Sequence, residues 1–124
     1  MSPLIFNFEA MASQCKCVIC GLTGEQAAEV AQKVEQEVRR IEAKYSRFNP
    51  DSTIGRINAL GHKGPVDLDP ETEALMNYAE HLYRLSGGLF DITTGTLQKI
   101  WDFKSGVAPK QEVLQEQLSY VGWE

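Results

Sequence analysis

The strongest constraint on this chain is an apolar stripe. Val30, Val34, Val38, Ile41 and Tyr45 recur at spacings of four and three, the period that gathers side chains on one helix face. Thr23-Gly-Glu-Gln26 precedes the stripe as a capping box, with a hydroxyl at the N-cap and Gln three residues later. Pro50 ends the run. The spacing predicts a helix over Gly24–Arg47, with Glu25, Glu29, Lys33, Glu37, Arg40 and Lys44 on solvated faces. A helix with one apolar stripe must cover a second apolar layer.

The segment before it can supply that layer. Leu4, Phe6 and Phe8 alternate on one face, and Cys15, Cys17 and Ile19 alternate with Gln14 and Lys16. Both runs have strand period. The small residues Ala10-Met11-Ala12-Ser13 lie between them, so an antiparallel pair bent at Met11 is expected. A methionine at a bend is either a gap-filler or the soft wall of a site for an aromatic ligand. The three cysteines, Cys15, Cys17 and Cys20, are an odd number without a second ligand cluster. They fit buried thiols in a reducing compartment better than a disulfide framework or a metal site.

A second helix is marked by Asp69-Pro70-Glu71, an acid at the N-cap followed by Pro at the first helical position. Leu75, Tyr78, Ala79, Leu82 and Leu85 line one face until Gly87-Gly88. Val66 and Leu68 alternate with Asp67 and predict a short strand ahead of it. The segment Ser86–Trp101 then brings Leu89-Phe90, one acid at Asp91, the hydroxyl-rich Thr93-Thr94-Gly95-Thr96, and Leu97, Ile100 and Trp101 at short-helix spacing. Two accounts of it stand at this stage. One is a glycine helix stop followed by a capped short helix. The other is a close backbone approach to a ligand, with the acid bonding a polar edge.

Phe48 has the same ambiguity. It sits just before Asn49-Pro50-Asp51-Ser52, a turn whose Asp51 or Ser52 can cap a short helix holding Ile54 and Ile57. A phenylalanine there either plugs the core or stacks on a flat ring. His62 has no neighbouring acid or cysteine and is expected to be exposed, and His81, flanking the apolar face of the second helix, is expected to be partly exposed. Residues 102–107 are expected as loop, Pro109 opens a last helix with Val113, Leu114 and Leu118 inward, and Val121 and Trp123 start a strand. A chain stopping on the opening residues of a strand looks cut.

Composition removes several function classes. The 124 residues suit one domain, spanning 1–124, and 43% hydrophobic with 23% charged residues favours folding. A net charge of −5 without a basic patch argues against a nucleic-acid surface. No secretory signal or membrane-length apolar run is present, so a soluble, cytoplasmic chain is expected. There is no Gly-x-Ser-x-Gly elbow, P-loop or dinucleotide fingerprint, and no nucleophile–base pair or metal triad. What remains is three loop segments with an apolar or aromatic surface beside turn chemistry: Met11, Phe48-Asn49 and Leu89-Phe90-Asp91.

Four segments carry a resemblance. They are Tyr-Ser-Arg-Phe-Asn-Pro-Asp-Ser-Thr-Ile-Gly-Arg-Ile-Asn from Tyr45, Val-Asp-Leu-Asp-Pro-Glu-Thr from Val66, the Ser86–Phe103 stretch, and Val-Gly-Trp from Val121. In order and spacing they are similar to the N-terminal part of ApbE-type proteins, the FAD:protein FMN transferases once called thiamine-biosynthesis lipoproteins. The resemblance implies binding of FAD and Mg²⁺-dependent transfer of its FMN half to a threonine of a target flavoprotein subunit. It also implies relatives that are often periplasmic lipoproteins. By motif, Met11 matches the methionine of a Met-Gly-Thr turn near the flavin. Phe48 matches an aromatic position, often tyrosine, that contacts FAD. Leu89, Phe90 and Asp91 match a segment whose backbone and acid contact FAD, with Asp91 as a hydrogen-bonding acid and not a metal ligand. Here Ala12-Ser13 stands where Gly-Thr is usual, and Phe48 lacks the tyrosine hydroxyl. The family's metal-site residues correspond to positions beyond Glu124, so no catalytic or metal residue is assigned within this chain.

The fold expected is α+β: an antiparallel sheet carrying one long and one medium helix, akin to the N-terminal part of the tunnelling-fold-like ApbE architecture and truncated. The function expected is the FAD-binding portion of a flavin transferase, inactive alone. The alternatives are a non-catalytic flavin-binding or protein-interaction module and a truncated scaffold without a ligand. An uncovered sheet edge would favour self-association or a complementing chain.

Overall fold

A computed structural model describes residues 2–123 and separates into two compact units, one up to Val66 and one from Asp67 onward. The architecture is α+β, as the patterning requires.

In the first unit, β1 (Leu4–Ala10) and β2 (Ser13–Ile19) form an antiparallel hairpin. Leu4 pairs with Ile19, Phe6 with Cys17 and Phe8 with Cys15, so one face is the apolar layer expected. On the opposite face Ile5 pairs with Val18, and both are exposed. The cysteine expectation changes: Cys15 and Cys17 are half-buried and Cys20, just past the strand, is exposed. All three are free. A two-stranded sheet covered on one side is too thin to bury them.

Helix α1 (Gly24–Tyr45) packs against both strands and starts at the expected capping box, in which the Gln26 amide donates to Thr23 Oγ1 at 3.4 Å. It ends at Tyr45, two residues before the predicted Arg47, with Ser46 as its C-cap. The Ser46 carbonyl is taken by the Ser52 hydroxyl at 2.6 Å and the Asn49 amide at 3.2 Å, which turns the chain. The packed face is also rotated from the valine stripe. Ala27 and Ala31 are buried, whereas Val30 and Val34 stay 39% and 38% exposed. Farther along the stripe, Val38, Ile41 and Tyr45 are half-buried.

Helix α2 (Thr53–Leu60) is capped by Ser52, whose Oγ accepts from the Gly55 amide at 2.9 Å, and it continues into a 3-10 helix at Gly61–Lys63. Val66 and Leu68 keep their half-buried alternation but form no strand. A strand needs a ladder partner, and among the described residues β1 and β2 pair only with each other.

The second unit holds α3 (Pro70–Leu85), a 3-10 helix at Ile92–Lys99 and α4 (Gln111–Leu118). Asp69 caps α3 through the amides of Glu71 and Thr72, each at 3.1 Å, and bonds the buried Thr72 hydroxyl at 2.8 Å. The apolar face expected on α3 exists as a pattern, yet Leu75, Tyr78 and Leu85 are exposed. Gln117 of α4 bonds Thr96 of the 3-10 helix. The 102–107 loop is closed by a single bridge between Asp102 and Val107. Val121 and Trp123 are half-buried without strand pairing. Among the described residues, no helix is long and apolar enough to cross a membrane.

Candidate functional site

The three loop segments singled out in the sequence are all tight, internally bonded turns. Met11 and Ala12 form the two-residue loop of the β1–β2 hairpin, at φ 53° and 54°. Positive φ at both central residues is the hairpin geometry that matches strand twist, and Asn-Gly is its usual sequence. A side chain at positive φ costs about 1–2 kcal/mol per residue. The turn is therefore strained. A bond from outside the hairpin holds it: the Met11 amide donates to Glu42 Oε1 of α1 at 2.7 Å. Met11 itself is half exposed, not a gap-filler in the core. Beside the turn lies a cavity of about 380 Å³ whose walls include Ala12, Ser13, Arg39 and Glu42.

Phe48 is not a plug. It is 82% exposed, and the Arg47 guanidinium lies over its ring, 4.5 Å from the centroid. The turn carrying it is rigid. The Asn49 side chain accepts the Asp51 amide at 3.0 Å, and the Asn49 carbonyl accepts the Ser52 amide at 3.1 Å. Gly55 allows this packing, because a Cβ there would meet the Asn49 carbonyl and lie 2.8 Å from Pro50 Cα.

In the second unit, Gly87 and Gly88 close α3 with a Schellman motif. Their φ values are 64° and 83°. The Gly88 amide donates to the Tyr83 carbonyl at 2.8 Å and the Gly87 amide to the Arg84 carbonyl at 3.2 Å. The chain emerges with Leu89 at 91% exposure and Phe90 at 44%. Ser86 Oγ accepts the Phe90 amide at 2.8 Å, so that N–H is already engaged. Asp91 caps the following 3-10 helix: its Oδ1 accepts the Thr93 amide at 2.7 Å and the Thr93 hydroxyl at 2.6 Å. Thr93 Oγ1 in turn accepts the Gly122 amide at 2.9 Å. Both bonds to the Asp91 carboxylate fall on one oxygen.

Met11 and Phe48 thus belong to the first unit and Leu89, Phe90 and Asp91 to the second. Sequence reading missed Glu42 and Gly55. Glu42 sits among the charges of α1, and nothing in its spacing marks it as the partner of a turn 31 positions away. Gly55 was visible as a glycine inside a short helix, the signal of a close backbone approach. The Mg²⁺ that the resemblance implies does not fit the donors present, since among the described residues no three His, Cys, Asp or Glu side chains converge on a point.

The structure aligns with the ApbE protein of Thermotoga maritima at a TM-score of 0.77, with 23% identity, over 98% of this chain and 40% of that one. It aligns with the flavin transferase ApbE of Vibrio cholerae at a TM-score of 0.73, with 20% identity, over 98% and 41%. The model of the ApbE family matches residues 11–124, and the chain belongs to that family. Among curated relatives, the FAD:protein FMN transferase of Chlamydia pneumoniae is 29% identical over 105 residues, 83% of this chain and 33% of its own length. That of Escherichia coli K12 is 26% identical over 114 residues, 92% and 32%. The chain therefore spans about one third of the curated relatives it matches.

Proposed function

We propose that this chain, as a single domain over residues 1–124, is the FAD-contacting portion of a flavin transferase. The complete reaction would attach FMN from FAD to a threonine of a target flavoprotein with Mg²⁺. Met11, Phe48, Leu89 and Phe90 offer thioether, aromatic and aliphatic contact to the flavin, and Asp91 offers a carboxylate to its polar edge. The observation that carries this reading is the exposure of Phe48 and Leu89, 82% and 91%, on turns closed by hydrogen bonds, with Leu89 emerging from the positive-φ Gly87-Gly88 pair. Apolar side chains presented to solvent from bonded turns are suited to a ligand and contribute little to their own core.

The family's transfer chemistry needs charge stabilisation at the pyrophosphate, which a metal ordinarily supplies. The described residues hold no metal cluster. In this reading the chain binds FAD and contributes to transfer only when further chain, in cis or from a partner, adds the missing groups. Free Cys15, Cys17 and Cys20 favour a reducing, cytoplasmic setting.

The test is incubation with FAD, Mg²⁺ and a threonine-bearing target subunit, with and without the C-terminal two thirds of an ApbE relative added in trans, read by in-gel flavin fluorescence. The expected result is no labelling by the chain alone and labelling on complementation. FAD binding with no labelling in either arm would favour a non-catalytic flavin module. Absence of FAD binding in both arms would overturn the proposal.

A further inference from the structure

We infer that Glu42 is the positioning residue of the Met11 turn, which deepens the flavin-binding reading and rests on it. Glu42 stands on α1, and its Oε1 accepts the Met11 amide at 2.7 Å across 31 residues of chain. The turn it reaches is the one place among the described residues where non-glycine backbone has positive φ, at Met11 and Ala12. A hairpin loop of that sequence prefers to relax out of this geometry.

The carboxylate opposes that relaxation. It fixes the direction of the Met11 amide, and with it the backbone orientation that sets where the Met11 side chain projects. The anchor itself is steady. Glu42 opens the last turn of α1, which is closed by the Ser46 amide donating to the Glu42 carbonyl at 2.8 Å. In the same region Arg39 is held by Glu35 at 2.8 Å. A chain with alanine at position 12 therefore substitutes a side-chain anchor for the backbone freedom that glycine provides. The role is specific to orientation: Glu42 supplies an acceptor, and its charge strengthens the bond without being required for it.

The experiment combines amide hydrogen exchange with FAD titration on the whole chain, for wild type, Glu42→Ala, Glu42→Gln and Glu42→Ala/Ala12→Gly. Loss of a charge-assisted bond predicts that Glu42→Ala speeds exchange of the Met11 amide about tenfold and weakens FAD about tenfold. Glu42→Gln keeps an acceptor oxygen and stays within about threefold of wild type on both counts. Adding Ala12→Gly to Glu42→Ala restores most of the FAD affinity without restoring Met11 amide protection, a split that simple loss of fold would not give. Unchanged Met11 exchange in Glu42→Ala overturns the inference whether or not FAD binds. Faster exchange with unchanged FAD affinity, or a Glu42→Gln variant as poor as Glu42→Ala, overturns it too. A wild-type chain that takes up no FAD overturns the functional reading, and the flavin half of this inference with it.

Discussion

At the scale of single residues, strain and hydrogen bonding set the behaviour of the loops. Ala12 at φ 54° is a left-handed position without a glycine. Ala12→Gly should therefore raise the unfolding free energy by about 0.5–1 kcal/mol, the steric relief less glycine's entropy cost. A shift of the urea midpoint at constant slope measures it. Asp102 gives a pH prediction. The backbone amides of Lys104 and Ser105, and then the Ser105 hydroxyl, hold its carboxyl below the ordinary 3.8. A depressed carboxyl stabilises the folded loop above its unfolded value, and that contribution is lost as pH falls through the folded value. Carboxyl carbon NMR should thus show Asp102 titrating below 3.8, with order in the 102–107 loop lost on the acid side. Asp102→Asn should abolish that acid transition. The roles of Met11 and Phe48 stayed open in the sequence because an apolar residue beside a turn serves core or surface equally well. Only exposure separates the two.

At the scale of elements, the helix starts were legible and the packing faces were not. Thr23, Ser52 and Asp69 cap as their sequence motifs dictate, because capping is decided within four residues. Thr23→Ala should cost about 1 kcal/mol in chemical denaturation. The buried face of α1 depends on how near a neighbouring layer can come, and no local pattern encodes that. Alanines at 27 and 31 are buried there, while the first two valines of the stripe stay exposed. The strands expected at Val66–Leu68 and from Val121 failed for a related reason: alternation is local, while a ladder needs a partner. The close approach at Gly55 gives a sharper test. A Cβ there would press on the Asn49–Pro50 backbone, so Gly55→Ala should destabilise the first unit by about 1–3 kcal/mol. It should also disturb the Phe48 turn, visible as loss of Asp51 amide protection in hydrogen exchange.

At the scale of the whole molecule, the buried interior is slight. Among the described residues the buried hydrophobic side chains are Ala10, Ala27 and Ala31, and the largest fully buried side chain is Thr72. Larger apolar groups, including Val30, Leu75 and Tyr78, remain in contact with solvent. Surfaces of this kind favour association, so sedimentation velocity should show mass rising with concentration in the tens-of-micromolar range (order of magnitude from typical weak interfaces). A heat-stable monomer at all concentrations would count against this. Family membership was legible because four spaced segments carry the loop chemistry. Transfer chemistry is a separate matter, since the chain spans about a third of a relative's length. Titration of FAD fluorescence against the purified chain tests most directly whether the exposed loops meet a flavin. The account predicts a saturable quench that Phe48→Ala and Asp91→Ala each weaken about tenfold, the scale of one stacking contact or one charged hydrogen bond. An unquenched titration, or a quench that neither substitution changes, would contradict it.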